Sequence, residues 1–311
     1  MKSFCTFAFL STGLTYLLIF IGGLVRVAGA GMGCPDWPKC FGRWIPPTSL
    51  DQLPDYIDPA QFNIVLAWIE YCNRLFGALV GITITITLIL GLKHYSNFSH
   101  IRWTIIAAFV LTLIEGWLGS VLVNTLLNPI TITLHLFLAL IIVMLLLYAS
   151  QQAYYLENPD SEKLSRYPSH IQRLFGCLAL LLFVEVILGT EIRGGLEMIR
   201  KENPIIDSQF LLHMLGPFKY IHTILGFIIT GLAGLVWYHL VKKSIRPSNI
   251  IVQSSTAILL LILVQIILGE ILVFFRVIPL VQLFHLWIAS WILGMVCVQY
   301  SAWKRSQIAH E

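Results

Sequence analysis

The chain has 311 residues, of which 57% are hydrophobic and 12% charged, with a net charge of +4 and a mean hydropathy of +0.81. A soluble domain needs more polar surface than this, so the composition excludes one and points to a protein embedded in the lipid bilayer. The small positive charge gives no reason to expect a nucleic-acid partner.

Windows of about 20 apolar residues predict eight membrane-spanning helices, near 7–29, 63–92, 103–124, 130–151, 171–192, 217–241, 249–275 and 279–303. The segment from Met1 to Ala30 is long enough to be the first span and has no cleavable-signal pattern. Cys5, Cys72, Cys177 and Cys297 fall singly in apolar segments, where packing is expected. Cys34 and Cys40 lie together in the turn-rich loop Gly31 to Gly42. On an oxidising outer side they can form a disulfide, and their spacing leaves a structural staple and a redox pair equally open.

The connections after the second, fourth and sixth spans are short and carry basic residues. Lys2, Lys93, Arg102, Lys163, Arg166, Arg173, Lys242, Lys243, Arg246, Lys304 and Arg305 fall on that side, eleven in all against seven on the other, with Arg26 and Arg74 within or at the edge of spans. The positive-inside rule then puts both termini in the cytoplasm. The loops 31–62 and 193–216, with Asp36, Asp51, Asp55, Asp58, Glu202 and Asp207, face outward.

The second half of the chain repeats the first. Ile21-Gly-Gly-Leu-Val-Arg26 answers Leu188-Gly-Thr-Glu-Ile-Arg193, and Asn73-Arg-Leu-Phe-Gly77 answers His222-Thr-Ile-Leu-Gly226. Glu115-Gly-Trp-Leu-Gly119 answers Gln265-Ile-Ile-Leu-Gly269, and His135 and His285 each stand six residues after a proline, Pro129 and Pro279. An even number of spans per half makes the halves parallel. The expected fold is therefore an all-α integral membrane protein of two tandem four-helix bundles. Their bounds are residues 1–151 and 170–311, joined by a cytoplasmic linker over 152–169.

His135, His222 and His285 are imidazoles inside apolar spans, where a polar ring is costly unless it is satisfied. Two of them facing across a bundle can bind haem iron axially; an interhelical hydrogen bond is the plainer reading. Zinc lacks further clustered ligands. Glu70 lies one turn before Asn73 on the same helix face, a candidate for chemistry or a partner for Arg74 or Arg26. Glu115, Glu185 and Glu270 read as packing partners, with a larger role open for Glu185. His213 reads as a loop residue or a propionate contact, and His94, His100, His170, His239 and His310 carry no assignment.

On these residues the chain resembles the haem A synthase family: Gly22-Gly-Leu-Val-Arg26 running into Gly33-Cys-Pro-Asp-Trp-Pro-Lys-Cys40, then Glu70-Tyr-Cys-Asn-Arg74, His135, His222 and His285. The likeness covers essentially the whole chain. It implies oxidation of the C8 methyl of haem O to a formyl group by successive hydroxylations, giving haem A for a terminal oxidase. By that likeness a b-type haem is the cofactor, held by His222 and His285 in the C-terminal half. Haem O is the substrate, held through His135 in the N-terminal half beside Asn73, with Arg26 and Arg74 as further haem-binding candidates. Glu70, Cys34 and Cys40 form the candidate catalytic set. The implied setting is the inner (cytoplasmic) membrane, with the haem O-supplying enzyme and terminal oxidase assembly as partners and homo-oligomerisation left open. The chain departs from the family pattern at Asn73, where the family has His, and in 194–212, which lacks a second Cys pair. Two other classes use the same residues: a b-type cytochrome that only transfers electrons, and a haem-handling transport protein.

Overall fold

In lipid nothing but the helical ladder satisfies backbone N–H and C=O groups, so each long apolar run becomes a helix. The computed structural model describes residues 2–159, 167, 170–203, 205, 208–244, 247–275 and 277–308. Its helices are α1 (Lys2–Val27), α2 (Ile64–His94), α3 (Ser99–Asn124), α4 (Pro129–Glu157) and α5 (Ile171–Glu202), then the short α6 (Ser208–Met214), α7 (Phe218–Trp237), α8 (Asn249–Phe274) and α9 (Pro279–Ile308). All but α6 are long and apolar enough to cross a membrane. Among the described residues there is no strand, only an isolated bridge between Cys40 and Arg43.

Caps fix where several helices begin. The Asn63 side chain accepts from the N–H groups of Val65 and Leu66 at 3.0 and 3.2 Å. Asn128 accepts from Ile130 at 3.0 Å ahead of Pro129, and Ser248 accepts from Ile251 at 3.3 Å. Proline at the first position of α4 and α9 therefore places His135 and His285 about two turns inside.

The eight predicted spans are present, with shifted ends. α5 continues to Glu202 instead of ending near 192, because its charged last turns are held by ion pairs rather than by lipid: Arg193 donates to Glu197 at 3.0 Å. α4 continues to Glu157, whose carboxylate accepts from Tyr95 Oη at 2.7 Å. α7 ends in a π-helical turn, Tyr238–Lys242, in place of regular helix. Residues 160–166 and 168–169 of the linker, with Lys163 and Arg166, lie outside the described residues, as do Asp207, Arg246 and His310.

α1 to α4 pack as a ring, each against its chain neighbours and α1 against α4, and α5, α7, α8 and α9 do the same. This is compatible with the expected tandem bundles. Between the rings α9 packs on α1 and α4, and α4 on α5. The largest buried cluster runs through that contact, from Tyr16, Leu140 and Val143 to Ile292, Leu293 and Val296.

Candidate functional site

Because the spans alternate in direction, the ends of α1, α3, α5 and α8 meet the starts of α2, α4, α7 and α9 at one face of the bundle. The membrane-embedded polar residues singled out above gather toward that end. In the second ring His222 comes from α7 and His285 from α9, helices that are not neighbours in the ring. Their imidazoles meet with centroids 6.2 Å apart and planes inclined by 60°. Each ring leans on the helix before its own. His222 Nδ1 lies 3.1 Å from Glu185 Oε1 of α5, and the main-chain carbonyl of Gln265 on α8 faces His285.

In the first ring His135 Nδ1 on α4 lies 2.7 Å from Glu115 Oε2 on α3. Asn73 on α2 occupies the position that repeats as His222, and its Oδ1 is buried with no hydrogen-bond partner. One oxygen of each carboxylate, Glu115 Oε1 and Glu185 Oε2, is likewise buried and unpartnered, and the Nδ1 atoms of His135, His222 and His285 are buried without a well-formed hydrogen bond, the carboxylate contacts being close approaches. Among the described residues no three His, Cys, Asp or Glu side chains are grouped to hold a metal ion. The donors come as a facing imidazole pair in one half and a single imidazole in the other.

Glu70 is buried on α2 and takes part in a 2.9 Å ion pair with Arg74 Nε. The remaining donors of Arg74 point into the loop above: Nη1 to the carbonyls of Asp36 at 2.7 Å and Lys39 at 2.9 Å, and Nη2 to that of Cys34 at 3.2 Å. Cys34 and Cys40 are disulfide-bonded and both buried. The Asp36 carboxylate accepts from the N–H groups of Phe41 and Gly42 at 2.5 and 2.9 Å, closing the turn in which both residues have positive φ. Gly33 lets the loop lie directly on α2, since a Cβ there would sit 2.2 Å from the Leu66 carbonyl oxygen. Glu70, Arg74 and the disulfide loop thus form one connected unit.

Arg26 forks onto Glu197 of α5, Nε to Oε1 at 3.2 Å and Nη2 to Oε2 at 3.1 Å. Arg193, its counterpart in the repeat, donates to the same carboxylate. His213 lies on α6 with Lys219 Nζ 3.4 Å from its ring. His170 and His239 meet at 5.2 Å at the opposite end of the helices. Cys72 and Cys177 are exposed on outer helix faces rather than packed inside, and Glu270 is exposed on α8. Sequence reading took Glu115 for packing and left a larger role open for Glu185, without placing either against a particular histidine. The available signal was the short α3–α4 connection, which sets residues at similar distances from the turn side by side.

A family model described as cytochrome oxidase assembly protein, COX15-CtaA, matches residues 5–297. The chain is similar to the heme A synthase of Bartonella henselae, with 24% identity over 337 aligned residues, 94% of this chain and 89% of that one. It is 30% identical over 185 residues to the heme A synthase of Shewanella oneidensis, covering 56% of this chain and 52% of that one. To the heme A synthase of Wolbachia sp. subsp. Brugia malayi it is 26% identical over 304 residues, 86% of this chain and 87% of the other.

Proposed function

Because the chain belongs to the COX15-CtaA family of cytochrome oxidase assembly proteins, we propose that it is a haem A synthase, a membrane enzyme that oxidises the C8 methyl of haem O. Two successive hydroxylations, each adding one oxygen atom at the expense of a two-electron oxidant from outside the chain, turn the methyl into a gem-diol, which loses water to leave the formyl group of haem A. The relatives at 24–30% identity carry the name heme A synthase.

The observation that carries this reading is the His222–His285 pair. Two metal–imidazole bonds of about 2 Å, plus about 1 Å from each nitrogen to its ring centre, put axial ligands of one iron about 6 Å apart between centroids. The pair stands at 6.2 Å, and apolar helices wall it, so the residues present fit a haem. His222 and His285 would hold a b-type haem, which when bound supplies a one-electron redox centre beside the substrate half. His135 would hold the substrate haem O, with Asn73 at the matching position of α2.

The chain's own residues do the rest. Glu185 Oε1, 3.1 Å from His222 Nδ1, is placed to hold that ring nitrogen so that Nε2 would be the one offered to iron. Arg74 fixes the Glu70 carboxylate, which then serves as proton acceptor or as stabiliser of cationic character beside the oxidised substituent. The disulfide loop covers this end and keeps water from Glu70. Arg26 and Arg193 put two guanidinium groups at the mouth of the bundles, suited to propionates. On this reading the chain lies in the inner membrane with both termini in the cytoplasm, an orientation the basic-residue count supports, and the haem O-supplying enzyme and a terminal oxidase under assembly are the partners this activity calls for.

Haem extraction and chromatography of protein purified after co-expression with a haem O supply tests the proposal. Haem A in the extract is the expected result. Haem b alone, with haem O returned unaltered, would instead identify an electron-transferring cytochrome. His222→Ala and His285→Ala should each remove the low-spin spectrum, and its survival in both would overturn the ligand assignment.

A further inference from the structure

The halves repeat once more inside themselves. Each of α2, α4, α7 and α9 packs against the membrane helix before it in the chain. That preceding helix carries the same step each time: one variable residue, three positions, then glycine. The four copies are Leu18 to Gly22, Glu115 to Gly119, Glu185 to Gly189 and Gln265 to Gly269. In the second half the ring of the following helix sits in this step, whereas at Gly22 and Gly119 nothing lies within 4 Å of an added Cβ. The Cε1 atoms of His222 and His285 lie 3.4 Å from where Gly189 and Gly269 would carry a Cβ. The variable side chain meets the imidazole in two copies, Glu115 at His135 and Glu185 at His222; at His285 it is the main-chain carbonyl of Gln265 that faces the ring.

The fourth copy differs in both places. Leu18 packs in an apolar cluster with Phe76 and Val80 of α2, and the same hairpin carries Asn73 instead of an imidazole. A carboxylate side chain meets an imidazole in two of the copies, and the fourth has neither a polar side chain at this step nor an imidazole facing it. The physical reason is the tautomer. A neutral imidazole presents either nitrogen; an acceptor on Nδ1–H fixes Nε2 as the free one and raises its basicity. Where two imidazoles share an iron, a neutral carbonyl on one of them suffices. Where a single imidazole faces an amide, that one bond must be strong.

We propose that Glu115 is the positioning residue of the N-terminal half: it accepts the hydrogen bond of His135 Nδ1–H, presents Nε2 to the iron of the substrate haem, and makes His135 the dominant axial donor against Asn73. The proposal rests on the assignment of His135 as the substrate-haem ligand made above.

Full-length protein loaded with haem O in detergent provides the test, read by the iron–histidine stretching band in resonance Raman and by haem O affinity. Glu115→Gln keeps the shape and removes the charge. The band should move to lower frequency and haem O should bind about 10- to 100-fold more weakly, with the low-spin spectrum of the other half unchanged. Glu115→Asp, whose carboxylate is drawn back from the ring, should fall between wild type and Gln, and it serves if the Gln protein does not fold. His135→Ala separates the two levels. If the N-terminal haem signal survives it, the ligand assignment fails. If His135→Ala removes that signal while Gln and Asp leave band and affinity at wild-type values, the role of Glu115 is overturned.

Discussion

Asn73 sets the chemical difference between the two halves. An amide offers iron only a weak carbonyl oxygen, whereas imidazole offers a strong nitrogen donor. Its buried Oδ1 has no partner in the protein, so it is available to a ligand in the pocket. Substrate haem in this half should therefore be five-coordinate and high-spin, with His135 on one side. Asn73→His should convert that signal to low-spin in protein loaded with haem O; a wild type already showing two low-spin haems would contradict the asymmetry. Glu70 belongs to the same helix face one turn earlier. Its ion pair with Arg74 keeps it buried and fixed, which is how a carboxylate is held for one proton position rather than for general solubility. Glu70→Gln should leave haem content intact and lower the rate of haem A formation on the order of 100-fold or more, the range of general acid–base contributions. Haem A production at the wild-type rate would reduce Glu70 to a structural partner of Arg74.

At the scale of elements, the outer loop is held by one side chain. Arg74 donates to Glu70 and to three carbonyls of the 34–40 turn, a use of the guanidinium fork that a lysine point charge cannot reproduce. Arg74→Leu leaves a buried carboxylate and three carbonyls unpaired and should destabilise the protein by about 3–5 kcal/mol. A lowered thermal midpoint, with reduced Cys34 and Cys40 reacting faster with maleimide than in wild type, would register it. An unchanged midpoint would mean that the disulfide alone holds the loop. The helices themselves were legible, because hydropathy over about 20 residues reports the demand of lipid on the backbone. The extension of α5 was not. Beyond 192 it is held by Arg26, Arg193 and Glu197, and a window that stops at the first charges cannot see an ion pair formed with another helix. The same reason hid Glu115 and Glu185. Their partners were visible as histidines, but which carboxylate meets which ring depends on the order of helices around each ring, and hydropathy carries no record of that.

For the whole molecule the decisive contact is between the rings, and its residues are not those of the repeat. Tyr16 of α1 stacks on Trp291 of α9 with centroids 4.6 Å apart, and Trp287 Nε1 donates to the Tyr16 carbonyl at 3.0 Å. Further along, Gln151 donates to the Val298 carbonyl at 3.1 Å and Gln152 to Ser301 at 2.7 Å. In hydrocarbon such bonds count because lipid offers no alternative partner, and close helix approach supplies the dispersion that the hydrophobic effect does not. Gly294 is the point of closest approach: a Cβ there would lie 1.8 Å from Tyr16 Oη and 3.1 Å from Leu147. Tyr16 cannot swing aside cheaply, because its ring is buried and stacked. Gly294→Ala should therefore force α1 and α9 apart at the cost typical of overpacking, about 1–3 kcal/mol. The two proposed haem sites fall in different rings that meet at this contact, so the same variant should slow haem A formation while each half keeps its own spectrum. Thermal unfolding followed together with turnover decides it. A variant that loses neither stability nor rate would mean that the halves work without this seam, and a variant that loses a haem spectrum would mean that the seam shapes a site directly.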